Sequence, residues 1–166
     1  MTVAVLSLGS NLGDREQTIR DAVADIAALP GIAVSAASSL VETPALKPHG
    51  VDTDAPAYLN AVVLVASELD PHALLSALNS IEAAHGRVRE TRWGDRTLDI
   101  DIVTFGDVSL DTADLTIPHP RAAERAFVLA PWLEVDPGAT LPEGRAADLL
   151  AAIGEVPAAY VSEPLL

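Results

Sequence analysis

The chain has 166 residues, no cysteine, and 24 Asp and Glu against ten Lys and Arg, for a formal net charge of −14. That length is expected to give a single domain, residues 1–166, with a core that needs no staples, while disulfides and thiolate metal sites are excluded. The acidic balance argues against nucleic acid and anionic membrane surfaces as partners, and no apolar run or basic leader marks a membrane span or signal peptide, so a cytoplasmic protein is expected.

Residues 3–8 are apolar and read as a first strand, ended by Gly9-Ser10-Asn11. Asp14 followed by Gln17 has the spacing of a capping box, and Ile19, Val23, Ile26 and Leu29 make the apolar stripe of a helix that Pro30-Gly31 stops. A second strand is expected from Ile32 to about Thr43. Residues 44–56, with three prolines, a glycine and two aspartates, read as a long loop. A third strand runs from Tyr58 to Ser67, and Asp70-Pro71 opens a second helix with Leu74, Leu75, Leu78 and Ile81 on its buried side and Gly86 at its end. An Arg-rich loop follows, then a strand carrying Asp99 and Asp101 to about Phe105. Residues 106–114 are expected to form a hairpin, Pro118-His119-Pro120 a loop, and 122–133 and 146–153 short helices before an irregular tail. The order β-α-β-β-α-β is that of an α+β ferredoxin-like sandwich, an antiparallel sheet flanked by helices, here with an extra hairpin and C-terminal helices. That architecture decides no function by itself.

The chemistry concentrates in residues 92–103, Arg-Trp-Gly-Asp-Arg-Thr-Leu-Asp-Ile-Asp-Ile-Val. Strand alternation turns Leu98, Ile100 and Ile102 one way and Asp99 and Asp101 the other, the two carboxylates roughly 6.5 Å apart. Aspartate is a poor strand former, and the apolar flanks imply a central, buried strand in which two carboxylates call for compensating cations. Six of the ten basic residues (Arg87, Arg89, Arg92, Arg96, Arg121 and Arg125) lie between positions 87 and 125. Guanidinium forks match phosphate oxygens, and carboxylates for Mg²⁺ beside them are what phosphoryl transfer needs. The plainer reading is a set of salt bridges to the same aspartates or to Glu82.

Other residues speak more softly. Tyr58 and Asn60 share a strand face and would suit a flat heterocycle with hydrogen-bonding edges, although alone they read as a core tyrosine and an edge-strand asparagine. His119, held between prolines, could touch phosphate or be structural. Gly9-Ser10-Asn11 lacks the Lys-Ser/Thr pair of a P-loop and reads as a strand-to-helix turn.

Taken together, Leu8-Gly9-Ser10-Asn11-Leu12-Gly13, Tyr58-Leu59-Asn60, Ile81-Glu82 with Gly86-Arg87, Arg92-Trp93-Gly94, Arg96-Thr97-Leu98-Asp99-Ile100-Asp101-Ile102 and Pro118-His119-Pro120 resemble the motifs of the 6-hydroxymethyl-7,8-dihydropterin pyrophosphokinases, in order and spacing over residues 3–141. The resemblance implies a ferredoxin-like fold and transfer of pyrophosphate from ATP to the hydroxymethyl group of a reduced pterin, releasing AMP, in folate synthesis. It implies two Mg²⁺ ions on Asp99 and Asp101, with Arg87 and Arg96 joining those aspartates as the catalytic set. Glu82, Arg87, Arg92, Arg96, Thr116, His119 and Arg125 would lie around ATP. Thr43, Pro44, Leu46, Tyr58, Asn60, Trp93 and Phe127 would form the pterin pocket, with Tyr58 and Phe127 sandwiching the ring. A monomer is expected, as is a reaction with no essential general base. The chain departs from the family pattern at Glu90 and Ala123. Another Mg-dependent nucleotidyltransferase would release pyrophosphate instead, and a silent pterin-binding protein would keep Tyr58, Asn60 and Phe127 without needing both aspartates. An RNA-binding module would want a basic, aromatic-rich sheet face, which this acidic chain lacks.

Overall fold

The computed structural model describes residues 1–47, 50–52, 57–86 and 97–166. In chain order the elements are β1 (Thr2–Ser10), α1 (Arg15–Ala27), β2 (Ile32–Ala37), β3 (Leu40–Thr43), β4 (Ala45–Lys47), β5 (Gly50–Asp52), β6 (Tyr58–Ser67), α2 (Pro71–Ala84), β7 (Asp99–Phe105), β8 (Leu110–Asp111), β9 (Thr116–Ile117), a 3-10 turn (Ala122–Glu124), α3 (Ala126–Val135), β10 (Thr140–Leu141), β11 (Gly144–Arg145), α4 (Ala146–Ile153) and β12 (Ala158–Tyr160). The main sheet has six strands in the order β12-β3-β6-β1-β7, with β2 also paired to β6. All its pairings are antiparallel.

Helices cover both faces, which is why β1 and β6 read as nearly continuous apolar runs rather than clean alternations. On the back, Leu6 and Leu8 of β1, Ala61 and Val63 of β6, and Ile100 and Ile102 of β7 pack against Ile19, Val23 and Ile26 of α1 and Leu74, Leu78 and Ile81 of α2. On the front, Val5, Val62 and Val103 meet Val128, Leu129 and Trp132 of α3 and Ala146 of α4. The front apolar patch does not extend to the far end of these strands. There the front-facing positions become Ser7 and Gly9 on β1, Tyr58 and Asn60 on β6, and Asp99 and Asp101 on β7. That polar end is where a ligand can lie.

Several expected elements hold and others shift. Asp14 Oδ1 caps α1 by accepting from Gln17 N at 3.2 Å, but the Gln17 side chain turns to Asp21, so only half of the capping box forms. Asp70 caps α2 through Ala73 N at 2.8 Å. The strand expected over 32–43 is two strands, β2 and β3, both on β6. They hand over at Ser38, whose N–H donates to Val62 O while its hydroxyl accepts from Val62 N, so the ladder continues through a side chain. The loop expected over 44–56 contains the small β4–β5 ladder. The hairpin expected over 106–114 lies later, as β8 against β9, because Gly106 (φ 53°) makes its own turn first. The helix expected over 122–133 is a 3-10 turn followed by α3. The tail is not irregular throughout, since β12 adds to the free edge of β3. Finally, β7 is an edge of the sheet rather than a central strand.

Candidate active site

Register builds the site. Gly9 lies opposite Asn60 on one side and Asp99 on the other, and Ser7 lies opposite Val62 and Asp101. Directly paired residues share a face, so Asn60, Gly9 and Asp99 form one row across β6, β1 and β7. With strands about 4.8 Å apart, Asn60 and Asp99 stand roughly 10 Å apart, and no side chain rises from Gly9 between them. On the next strand out, Val41 pairs with Asn60 and Thr43 with Tyr58. Asn60 is only 4% exposed, and its Nδ2 donates to Thr43 Oγ1 at 3.1 Å. A Cβ at Gly9 would fall 2.8 Å from Asn60 Oδ1 and 3.6 Å from Tyr58 Cδ1. The amide and the ring therefore lean over the glycine, and this steric need was invisible in a motif read as a turn.

The aspartates are held but not sunk in the core. The Asp101 side chain is 35% exposed, with Arg125 Nη1 at 3.7 Å and His119 Nε2 at 3.9 Å from its Oδ2. The cationic neighbour and partial exposure replace the burial expected from the apolar flanks. Arg125 also stands over the Phe127 ring, 5.5 Å from its centroid, so one guanidinium links the carboxylate end to an aromatic wall. His119 is fixed twice, its N–H donating to Val103 O at 2.8 Å and its Nδ1 accepting from Arg121 N at 3.1 Å. With Nδ1 an acceptor, the neutral ring carries its proton on Nε2, toward Asp101. Burial, aided by the nearby Arg125 charge and opposed by Asp99, lowers the His119 pKa from 6.5 to about 4. At neutral pH it is a hydrogen-bond donor and not a cation.

Glu82 enters from α2 at 2% exposure, and its Oε2 accepts from Ile100 N at 2.8 Å. Ile100 sits between the two aspartates, so one oxygen of Glu82 is committed to the backbone that spaces them. Thr116 lies in β9 with its hydroxyl on Asp111 Oδ1 at 3.3 Å. Pro44 is exposed beside Thr43, and Leu46 lies in β4 paired with Val51. Arg87, Arg92, Trp93 and Arg96 lie outside the described residues.

Among the described residues, no three His, Cys, Asp or Glu side chains gather as a metal-ligand cluster. Mg²⁺ asks for less, because it keeps several waters and takes one or two carboxylates beside substrate phosphates. Two half-exposed aspartates on one strand face fit that ion, with room left for phosphate oxygens. No helix among the described residues is long and apolar enough to cross a membrane.

Known proteins resemble the chain in both sequence and fold. Residues 5–137 match the family model for 7,8-dihydro-6-hydroxymethylpterin-pyrophosphokinase. The 2-amino-4-hydroxy-6-hydroxymethyldihydropteridine pyrophosphokinase of Methylorubrum extorquens is 48% identical over 137 residues, covering 82% of this chain and 84% of that one. The Bacillus subtilis protein of the same name is 43% identical over 133 residues, 80% and 77% of the two chains. A crystal structure of an HPPK-DHPS in complex with substrates superposes with a TM-score of 0.69 at 15% identity, over 92% of this chain. This chain spans 45% of that longer one, and the likeness concerns the fold alone. With the matched segment holding the Asn60–Gly9–Asp99 row, the Asp101 carboxylate and the Pro-His-Pro turn, the chain belongs to the 7,8-dihydro-6-hydroxymethylpterin-pyrophosphokinase family.

Proposed function

We propose that this protein transfers pyrophosphate from ATP to the hydroxymethyl group of 6-hydroxymethyl-7,8-dihydropterin, giving AMP and the pterin pyrophosphate, a step of folate biosynthesis. The observation that carries it is the row Asn60–Gly9–Asp99, an amide and a carboxylate on one face of three paired strands with a bare glycine between them, which suits a ring at one end and phosphates at the other. The pterin lies over Gly9 with its edge on Asn60 and its ring between Tyr58 and Phe127, and Thr43, Pro44, Leu46 and Trp93 complete that pocket. The triphosphate lies toward Asp99 and Asp101, near Arg125, His119, Thr116 and Glu82, with Arg87, Arg92 and Arg96 on its oxygens.

In the reaction the hydroxymethyl oxygen attacks the β-phosphorus in line. The new O–P bond forms as the bond between the β-phosphorus and the oxygen bridging to the α-phosphorus breaks, and the hydroxyl proton leaves to solvent. Asp99 and Asp101 would hold two Mg²⁺ ions, which would supply charge neutralisation for the phosphates and a lowered pKa for the attacking hydroxyl. His119, neutral with its proton on Nε2, donates a hydrogen bond on the phosphate side and cannot act as a base through Nδ1, which already accepts from Arg121 N. Arg125 steadies Asp101 and the phosphates together. Catalysis is positioning and charge, without covalent chemistry by the protein. The chain acts as one domain over residues 1–166 and as a cytoplasmic monomer.

The test is a mixture of protein, ATP, Mg²⁺ and 6-hydroxymethyl-7,8-dihydropterin with the adenine nucleotides resolved. Pterin-dependent AMP without free pyrophosphate is expected. ADP, or AMP with free pyrophosphate, overturns the reaction assigned here, and an unchanged ATP pool with tight pterin binding leaves only a binding protein.

A further inference from the structure

Beyond residue 137, where the family match ends, the chain returns to the sheet beside the pterin end of the site. Strand β12 pairs Ala158 with Glu42, Ala159 with Val41 and Tyr160 with Leu40. The last residues are tied down as well, since Arg20 donates to the carbonyls of Glu163 and Pro164 and Leu165 packs on the back core. The Arg15 side chain connects this tail to the site. Arg15, the first residue of α1, donates through Nη1 to Glu42 Oε2 at 2.8 Å and to Ala57 O at 2.7 Å, with its guanidinium carbon 5.9 Å from the centre of the Tyr160 ring.

The two acceptors are not arbitrary. Glu42 immediately precedes Thr43, and Ala57 immediately precedes Tyr58; Thr43 and Tyr58 are the pair at the open end of β3 and β6. Arg15 therefore ties, from behind the sheet, the Glu42 side chain on β3 to the Ala57 carbonyl just ahead of β6, each one residue before a member of the proposed pterin pocket. Asn60 hangs from the same corner through Thr43 Oγ1. The Arg15 side chain is 23% exposed and that of Glu42 38%, so the ion pair is partly screened, and the bond to the Ala57 carbonyl adds a second, charge-assisted contact on the same nitrogen.

We propose that Arg15 is a positioning residue for the pterin subsite and that the C-terminal strand 158–160, through Tyr160, holds Arg15 in place. The inference rests on Thr43, Tyr58 and Asn60 forming that subsite. Loosening the clamp lets the Thr43–Tyr58 corner drift without touching the phosphate side. The pterin KM and the dissociation constant measured by calorimetry should rise, while kcat at saturating pterin and the KM for ATP stay put.

The experiment measures both KM values, kcat and thermal midpoint for the full-length protein and its Arg15→Ala, Arg15→Lys and Tyr160→Ala variants, with Asn60→Ala as reference. Arg15→Ala should raise the pterin KM about tenfold, the size expected when a hydrogen bond to a charged group is lost from one corner of a site. Arg15→Lys should recover part of the loss and Tyr160→Ala should show the same split more weakly. A lower melting point with an unaltered pterin KM in Arg15→Ala would reduce the clamp to a stabilising contact and overturn the proposal. If Arg15→Ala fails to fold, an unaltered pterin KM in Tyr160→Ala overturns it equally. An unaltered pterin KM in Asn60→Ala would bring down the subsite itself, a failure distinct from that of the clamp.

Discussion

Gly9→Ala is the most direct test of the site's floor. Gly9 does not occupy a positive-φ conformation, so alanine brings no backbone strain. The whole effect is the added methyl, placed 2.8 Å from Asn60 Oδ1, inside any ordinary carbon–oxygen contact, whereas the 3.6 Å approach to Tyr58 is tolerable. Asn60 must rotate away, and the bond from its Nδ2 to Thr43 Oγ1 at 3.1 Å is lost with the rotation. A buried amide left without a partner costs about 1–3 kcal/mol. If that cost falls on the pterin-binding arrangement, affinity drops by roughly tenfold to a hundredfold, at 1.4 kcal/mol per decade. The assay is the pterin KM from AMP formation at saturating ATP, with calorimetric pterin binding beside it. The KM for ATP should not move. A double-mutant cycle isolates the cause, because in an Asn60→Ala background the added methyl has nothing to displace. Gly9→Ala should then add almost no further loss. Wild-type affinity in Gly9→Ala, or fully additive penalties in the double variant, would refute the steric argument.

Asp101→Asn, isosteric and uncharged, should lower kcat by roughly a thousandfold or more and raise the Mg²⁺ concentration needed for half-maximal rate, since each metal-holding carboxylate supports several kcal/mol of charge stabilisation; a variant with ordinary Mg²⁺ dependence would remove Asp101 from the metal site. For His119 the folded pKa, about 4, lies below the unfolded value of 6.5, so the unfolded chain takes up the proton first as pH falls. Its contribution to stability is complete above pH 6.5 and is lost as pH drops toward 4. Magnetic resonance of the imidazole should show a midpoint well below 6.5, and a midpoint at or above that value would contradict the assigned neutral ring; a bound cation on Asp101 would push it further in the same direction. Glu82→Ala strands the buried Ile100 N–H and should cost about 1–3 kcal/mol of stability. Glu82→Gln keeps an acceptor there and should retain most of the stability, as read by thermal melting; equal losses in the two would show that charge, not the hydrogen bond to β7, is what matters.

Which parts of this were legible beforehand follows from what periodicity can and cannot encode. β6 and α4 stand at the expected residues, 58–67 and 146–153, and the caps of α1 and α2 sit on the expected aspartates, because those signals are local. The break between β2 and β3 carries no mark in the sequence, because Ser38 replaces a ladder bond with its hydroxyl and no proline or glycine stands at the interruption. β12 is unmarked for another reason. Its three residues, Ala158, Ala159 and Tyr160, carry no pattern of their own and become a strand only because β3 offers a free edge. The edge position of β7 was hidden by its apolar back, Ile100 and Ile102, which an edge strand over two helices needs as much as a central one.

The site divides along the same line. Asp99 and Asp101 could be paired from a period of two, and Tyr58 and Asn60 likewise, but each pair is internal to one strand. What joins the pairs is register between strands 40 residues apart, and Gly9 is the hinge of that register. A glycine in a Gly-Ser-Asn turn and a glycine in the middle of a three-strand row have the same letters around them; only the ladder tells them apart. The arrangement also explains why the floor is sheet and not loop. Once Asn60 and Asp99 are both paired to Gly9, the separation between the Asn60 amide and the Asp99 carboxylate is set by two interstrand spacings, which the backbone hydrogen bonds hold within a few tenths of an ångström. In-line transfer loses rate steeply when the reacting atoms are misplaced by even 1 Å. Ladder geometry fixes that distance, and the bond from Ile100 N to Glu82 Oε2 on one side and those from Arg15 to Glu42 and the Ala57 carbonyl on the other brace the strands that carry it.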